Sequence, residues 1–283
     1  MIWKTRRGII DLTHCAQVMG ILNVTPDSFS DGGAHFQNET ALVHAREMIT
    51  AGAIIIDVGG ESTRPGALAV SRHEEISRTV PVIAALRQEW DGFISIDTSK
   101  ADVAEAALKA GADIVNDVSG LLADPKMPQI CAAFGCGVVV MHMQGNPRTM
   151  QTAPHYVNVI SEILDFFAER MSSLTSAGIA SSALCFDSGI GFGKTIDHNL
   201  TLLREIEKIK ISDRPTLLGA SRKSFIGKIL SADTIGSREW PTVAITAMTR
   251  EKGVMLHRVH SVRANLEALR MTEAILSAGG KLS

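Results

Sequence analysis

The chain has 283 residues, of which 45% are hydrophobic and 20% charged, and its formal net charge is −2. This is the composition of a globular protein, and the length alone permits one domain or two. Lysine and arginine are dispersed rather than clustered, which argues against nucleic acid as a partner. No apolar run approaches the roughly 20 residues that span a bilayer, and no apolar segment follows the N-terminal charges as it does in a secretory signal.

The cysteines form no C-x-x-C pair, and each of them lies beside apolar positions in the sequence. They are Cys15, Cys131, Cys136 and Cys185. We expect reduced thiols in or near the core, and this use of cysteine indicates a cytoplasmic protein.

A short strand is predicted over residues 9–12, and after it a strand followed by a helix recurs eight times. The apolar runs that predict these strands span residues 18–23, 53–60, 93–98, 114–118, 138–142, 183–187, 215–220 and 255–260. Helical spacing of apolar residues predicts helices over 39–50, 71–90, 101–110, 127–134, a segment ending near 177, a segment beginning at 198, 239–252 and 262–276. The run over 53–60 is apolar up to Asp57, which is typical of a strand buried on both faces of a parallel sheet.

Eight such units predict a single-domain α/β fold over residues 1–283, a (β/α)8 TIM barrel with a core of about 16–279 and a short N-terminal strand segment. An open, doubly wound parallel sheet is the alternative. That fold would be expected to carry a glycine-rich nucleotide-binding turn after its first strand, and G-x-G-x-x-G does not occur there. No linker, low-complexity segment or charge run marks a second domain.

Polar residues stand at the carboxyl ends of the predicted strands, and these ends meet at the catalytic face of a barrel. They are Asn23, Asp57, Asp97, Asn116, Asp117, His142, Asp187, Ser221, Arg222, Lys223, Arg258 and His260. A single aspartate at a strand end is usually a hydrogen-bond acceptor that fixes a loop, because its burial is costly without a partner. Several carboxylates around one mouth, opposite lysine and histidine, indicate a binding site instead.

These residues divide by chemistry into two groups. Asp97, Asn116 and Asp187 suit a heterocycle with N–H edges, because a carboxylate can accept two parallel hydrogen bonds from a guanidine-like group. A second group suits an anion such as a phosphate or pyrophosphate, and it comprises Asn23, Thr63, Arg64, Arg258 and His260. A Mg²⁺ ion that bridges phosphate oxygens fits beside this group, whereas no cluster of histidine and cysteine has the spacing of a zinc site.

Motifs that occupy these strand ends cover the chain in order from about residue 10 to 279. They read MGILNVTPDSFSDGG (19–33), IDVGGESTRPG (56–66), SIDTSK (95–100), ND (116–117), MHMQGNP (141–147), DSGIGFGK (187–194), SRKS (221–224) and RVH (258–260). With these motifs the chain resembles the dihydropteroate synthases, the pterin-binding (β/α)8 enzymes of folate biosynthesis. The first two motifs are long and specific, so the resemblance does not arise by chance.

The resemblance implies a transferase that joins 6-hydroxymethyl-7,8-dihydropterin diphosphate to p-aminobenzoate, giving 7,8-dihydropteroate and pyrophosphate. It implies a pterin pocket formed by Asp97, Asn116, Asp187, Lys223 and Met141. It implies a diphosphate site at Asn23, Thr63, Arg64, Arg258 and His260, with Mg²⁺ on Asn23. It implies that p-aminobenzoate is flanked by Phe29, Pro65, Phe192, Ser221 and Lys223. The catalytic residues that it implies are Asp97, Asp187, Lys223, Arg258 and His260.

The resemblance also implies a homodimer, with the last helices as the interface, and a target of sulfonamides, which mimic p-aminobenzoate. Two alternatives stay open. One is a pterin-dependent methyltransferase, which shares the pocket but does not need the loop after Asn23 or the SRKS motif. The other is a catalytically silent pterin-binding homologue, which would be expected to lose strand-end groups that are present here.

The chain departs from the family pattern at two positions. Ser188 replaces the proline that usually follows the aspartate of the sixth barrel strand, and we expect a looser turn with the carboxylate retained. Ser261 replaces an aspartate after the last histidine, and a serine there is expected to orient His260 only weakly. Of the other candidates, we expect Lys194 to be solvated or structural and His142 to be a core histidine.

Overall fold

The computed structural model describes residues 1–25, 34–62, 66, 68–146, 149–231 and 234–278, with the backbone alone for 34–37. Within these ranges the strands are β1 (Ile2–Lys4), β2 (Ile9–Asp11), β3 (Gln17–Asn23), β4 (Ile55–Gly59), β5 (Phe93–Asp97), β6 (Ile114–Asp117), β7 (Gly137–Met141), β8 (Leu184–Asp187), β9 (Thr216–Leu218) and β10 (Leu256–Val259). The helices are α1 (Ala34–Thr50), α2 (Arg72–Glu89), α3 (Ala101–Ala110), α4 (Met127–Phe134), α5 (Val159–Ser176), α6 (Ile196–Arg204), α7 (Ser224–Leu230), α8 (Glu239–Glu251) and α9 (Val262–Ala278).

Strands β3 to β10 form a closed parallel barrel, in which β10 pairs with both β9 and β3. Every residue of β4 and β7 is buried, because the barrel interior covers one face of these strands and the helices cover the other. This architecture confirms the (β/α)8 prediction and excludes the open sheet.

Strands β1 and β2 form a separate antiparallel pair, beside the start of β8. The indole of Trp3 is fully buried, and its N–H donates to the carbonyl oxygen of Ala183 at 2.7 Å. The strand expected over 9–12 is therefore present, and it pairs with a strand that the sequence did not predict.

Local sequence signals account for several helix ends. Ser71 caps α2 by accepting a hydrogen bond from the backbone N–H of Glu74 at 3.2 Å. Gly111 ends α3 in the left-handed conformation, with φ of 118°. Helix α7 was not predicted, because its seven residues are too few to show helical periodicity.

The expectation for the cysteines is correct in part. Cys131, Cys136 and Cys185 are buried and free, whereas Cys15 is also free but exposed rather than part of the core. Within the described ranges, no helix combines the length and the apolar character that crossing a membrane requires.

Candidate active site

The register of the barrel brings four strand ends to one level. Asn23 pairs with Gly59, Gly59 with Asp97, and Asp97 with Asn116. A Cβ atom on Gly59 would lie 3.7 Å from Asn23 Oδ1 and 3.7 Å from Asp97 Cβ, so these two side chains flank the glycine. The carboxyl ends of β3 to β6 thus place an amide, a carboxylate and a second amide side by side at the barrel mouth.

A guanidinium from β10, the strand that pairs with β3 and closes the barrel, connects this group of side chains. Arg258, on β10, donates from Nε to Asp57 Oδ2 at 2.6 Å and from Nη2 to Asp97 Oδ2 at 2.7 Å. The same Oδ2 of Asp57 accepts a hydrogen bond from Asn116 Nδ2 at 3.0 Å. Asp57 is fully buried and lies two residues before the end of β4, so it is one layer deeper in the barrel than Asp97.

Opposing effects set the pKa of Asp97. Burial raises the pKa of this carboxyl, the neighbouring Arg258 guanidinium lowers it, and the negative charges of Asp57, Glu75 and Asp117 raise it again. The resulting pKa is about 7. Asp97 can therefore change its protonation state near neutral pH, which is common at binding and catalytic sites.

A second part of the site surrounds Asp187 at the end of β8. Its Oδ1 accepts a hydrogen bond from the backbone N–H of Gly189 at 2.8 Å. Burial raises the pKa of Asp187, against the effects of the Gly189 N–H and of the positive charge of Lys223. Gly189 has φ of 66°, and a Cβ there would lie 2.0 Å from the carbonyl oxygen of His142, so this turn requires glycine.

Lys223 and Phe192 form a cation–π contact at the edge of this part. The Lys223 Nζ lies 3.8 Å from the centroid of the Phe192 ring. Phe192 packs in a small apolar cluster with Val118, Met141 and Met150. Sequence reasoning found Phe192 and Met141 but missed Val118 and Met150, which no motif or strand-end rule singles out.

Ser221 and His260 form a hydrogen-bonded pair that orients the histidine ring. The backbone N–H of His260 donates to Ser221 Oγ at 3.2 Å, and Ser221 Oγ lies 2.9 Å from His260 Nδ1. The direction of the bond to Nδ1 depends on the histidine tautomer: when the serine hydroxyl donates to Nδ1, neutral His260 carries its hydrogen on Nε2. Ser221 rather than Ser261 is therefore the serine bonded to this ring.

Lys194 and His142 lie behind the site and are buried. Lys194 Nζ donates to the carbonyl oxygens of Phe192 at 2.9 Å and His142 at 3.3 Å, and it lies 3.1 Å from His142 Nδ1. Burial lowers the pKa of Lys194 to about 7, and burial together with Lys194 lowers that of His142 to about 3. Both residues are structural, and Lys194 joins the loops that follow β7 and β8.

Two further strand-end residues turn away from the mouth. Asp117 Oδ1 accepts hydrogen bonds from the backbone N–H and hydroxyl of Ser119, so Asp117 braces a turn. Arg222 has φ of 57° and donates from Nε to Glu239 Oε2 at 2.6 Å. The predicted site residues Phe29, Thr63, Arg64 and Pro65 lie outside the described residues.

The donor set at the mouth fits Mg²⁺ better than a metal held by protein alone. Among the described residues, no three His, Cys, Asp or Glu side chains are grouped so that they could hold a metal ion. Mg²⁺ keeps several waters and binds through one or two protein oxygens together with substrate phosphates. Asn23 Oδ1, beside the Asp97 carboxylate, is an oxygen of this kind.

Known proteins resemble this chain in sequence and in fold. The family model described as "Pterin binding enzyme" matches residues 19–260. The dihydropteroate synthase of Escherichia coli (strain K12) is 46% identical over 95% of this chain and 94% of its own length.

Two solved structures extend the match. That of the Yersinia pestis dihydropteroate synthase, in complex with a sulfonamide drug, has a TM-score of 0.92 at 43% identity, over 98% of this chain and 100% of that one. That of the Xanthomonas albilineans dihydropteroate synthase with 4-aminobenzoic acid has a TM-score of 0.89 at 40% identity, over 95% and 96% of the two chains. The chain belongs to the dihydropteroate synthase family of pterin-binding enzymes.

Proposed function

We propose that this transferase condenses 6-hydroxymethyl-7,8-dihydropterin diphosphate with p-aminobenzoate, forming 7,8-dihydropteroate and releasing pyrophosphate. The observation that carries this proposal is the match to dihydropteroate synthases along 95% of the chain. The geometry of the barrel mouth supports the roles of individual residues.

The pterin is assigned to the part of the mouth that holds acceptors. Asp97, Asn116 and Asp187 would receive its N–H edges, because ionised carboxylates and amide oxygens accept hydrogen bonds from such groups. Lys223 would donate to a ring acceptor, and Met141, which is 4% exposed, would pack on the ring. The deep position of these groups supports a pterin that enters first and is covered by the second substrate.

The diphosphate is assigned to the more open side of the mouth. Arg258 and the Nε2–H of His260 would bind its oxygens, together with Thr63 and Arg64. Asn23 would hold Mg²⁺, which supplies charge neutralisation to the leaving pyrophosphate when it is bound. Donors that face a developing negative charge in a water-poor site lower the barrier to its departure.

p-Aminobenzoate is assigned to the rim formed by Phe192, Ser221 and Lys223, with Phe29 and Pro65 across from them. Once pyrophosphate departs, the pterin methylene carbon is electron-poor and its positive charge spreads into the ring. Asp97 and Asp187 would stabilise this charge as carboxylates. The aniline nitrogen is uncharged at neutral pH, so it attacks without a strong base, and we assign neither a general base nor a covalent enzyme intermediate.

The working form is proposed to be a cytoplasmic homodimer with no nucleic-acid or membrane partner. The free cysteines are consistent with a reducing compartment. Helices α8 and α9 pack against each other and carry exposed apolar residues, among them Trp240, Met271 and Ile275, which supports these helices as the interface.

Product formation tests the reaction and the metal together. We expect dihydropteroate to form from the two substrates with Mg²⁺, and chelation of the metal to stop it. Asn23→Ala should raise the Mg²⁺ concentration needed for half-maximal rate and leave the KM for p-aminobenzoate unchanged. Activity of Asn23→Ala at the wild-type Mg²⁺ requirement would remove Asn23 from the metal site.

A further inference from the structure

We propose that Asp57 is a positioning residue, which orients Asn116 and Arg258 and thereby sets which edge of a heterocycle the pocket accepts. The inference rests on the proposed function and deepens it. Asp57 is fully buried, and its Oδ2 accepts hydrogen bonds from Asn116 Nδ2 at 3.0 Å and from Arg258 Nε at 2.6 Å. It lies one layer below the residues assigned to the pterin, so it acts on the substrate through these two side chains.

The first consequence concerns the amide of Asn116. An asparagine amide can be turned in two ways, which exchange its oxygen and nitrogen. Asp57 as a carboxylate only accepts, so Asn116 must turn Nδ2 toward it and Oδ1 away from it. A hydrogen bond to a charged group favours this orientation by roughly 10- to 100-fold. The amide then offers Oδ1 and its second N–H, an acceptor beside a donor, to a bound ring.

This pairing selects the substrate edge. A heterocyclic edge with an amino group next to an unprotonated ring nitrogen complements an acceptor beside a donor, as in a 2-aminopyrimidine ring. The opposite orientation of the amide would place acceptor against acceptor and donor against donor. Asp57 therefore converts a residue that could read either edge into one that reads a single edge.

The second consequence concerns Arg258. Its guanidinium is planar, and two bonds on different nitrogens, one to Asp57 and one to Asp97, fix the plane. When a pterin donates hydrogen bonds to Asp97, the contact between Arg258 and Asp57 remains and Arg258 keeps its place. Within the described residues these bonds use Nε and Nη2, and Nη1 is the nitrogen offered to a bound anion.

The two oxygens of Asp57 differ in their surroundings. Its other oxygen, Oδ1, is buried and has no hydrogen-bond partner among the described residues. A buried oxygen of a carboxylate without a partner destabilises the folded state. The hydrogen bonds of Asp57 are therefore concentrated on Oδ2, which holds both the Asn116 amide and the Arg258 guanidinium.

Asp113 provides a matched control within the same barrel. It is also a buried aspartate that binds an arginine, Arg87, and it accepts a hydrogen bond from the backbone N–H of Ile94 at 3.0 Å. It lies just before β6, at the opposite end of that strand from Asn116. Asp113→Asn removes a buried charge as Asp57→Asn does, but far from the mouth.

The experiment compares Asp57→Asn, Asp113→Asn, Asn116→Asp and the exchange Asp57→Asn/Asn116→Asp. For each we would measure the Kd of 6-hydroxymethyl-7,8-dihydropterin diphosphate, the KM of p-aminobenzoate, kcat and Tm. We expect Asp57→Asn to weaken pterin binding by roughly 10- to 100-fold, with the KM of p-aminobenzoate and Tm close to wild type. Asp113→Asn should lower Tm and leave the substrate constants unchanged.

The exchange variant separates orientation from charge. With Asn at 57 and Asp at 116, the new amide can donate to position 116 and accept from Arg258, and an oxygen faces the ring again. We expect it to recover part of the pterin affinity that either single substitution loses. The proposal would be overturned if the exchange variant recovered no pterin affinity while Asp57→Asn impaired Kd, KM and Tm together. It would also be overturned if Asp57→Asn bound the pterin as tightly as the wild type.

A readout without substrate keeps this inference distinct from the proposed reaction. The side-chain amide signals of Asn116 in a ¹H–¹⁵N spectrum of the free protein should include a strongly deshielded hydrogen. It should move in Asp57→Asn and stay in Asp113→Asn, and its absence from the wild type would overturn the proposal. Failure of the wild type to make dihydropteroate would instead overturn the proposed function.

Discussion

Replacing Asp97 by asparagine removes one charge from the barrel mouth and keeps its shape. Two unit charges about 4 Å apart interact by about 4 kcal/mol at an effective dielectric constant of 20. Arg258 donates to Asp97 at 2.7 Å. Its positive charge therefore offsets part of the attraction between the Asp97 carboxylate and a cationic pterin. If Asp97→Asn removes about 3 kcal/mol of this electrostatic stabilisation, kcat should fall by roughly 100-fold.

Binding of the second substrate should change far less. Asp97 is not among the residues assigned to p-aminobenzoate, so the KM for this substrate should stay near the wild-type value. The fold should persist, because Arg258 keeps its bond to Asp57 at 2.6 Å. Steady-state kinetics of pyrophosphate release and a thermal unfolding curve measure these effects. Equal losses in kcat and in affinity for p-aminobenzoate, or an unchanged kcat, would refute the reasoning.

Three other predictions concern protonation. The kcat/KM for the pterin substrate should rise with pH as Asp97 loses its proton, with an apparent pKa near 7, measured from rates across the neutral range. Ser221→Ala should reduce turnover more than Ser261→Ala, because Ser221 bonds His260 Nδ1, and parallel kinetics of the two variants measure this. Burial, followed by the charge of Arg250, lowers the pKa of His257 from its ordinary 6.5 to about 3. Between these two pH values the unfolded chain binds more protons than the folded one, so the free energy of unfolding falls as pH falls. His257→Leu should lessen this fall in Tm.

Each of these predictions has an outcome that contradicts it. A flat pH profile, or a carboxyl ¹³C titration of Asp97 near its ordinary value, would show that burial does not raise its pKa. Ser261→Ala with the larger effect would return the orienting role to the position where the family has aspartate. Parallel Tm curves for wild type and His257→Leu below pH 6.5 would mean that this buried ring does not govern acid stability.

Apolar runs and the helical spacing of apolar residues were sufficient to predict the barrel, because both signals are local in sequence. The run over 53–60 contains β4, and the helix predicted over 101–110 is α3. Helix α7 was missed because it is short. Strand β9 ends at Leu218, two residues before its predicted end.

The site was predicted as a set of residues but not as a set of contacts. Strand ends predicted that Asp97, Asn116 and Arg258 meet at the mouth. The bond between Asp57 and Arg258 joins residues 201 positions apart, and its existence depends on closure of the barrel. In the same way, Ser261 is the sequence neighbour of His260, but Ser221, which follows the adjacent strand β9, is the serine that bonds its ring.

The role of this barrel as a synthase is tested by pyrophosphate release from 6-hydroxymethyl-7,8-dihydropterin diphosphate, with Mg²⁺, in the presence and absence of p-aminobenzoate. We predict release that depends on p-aminobenzoate and that matches the dihydropteroate formed. No release despite measurable binding of the pterin diphosphate, or release without any dihydropteroate, would contradict the assignment.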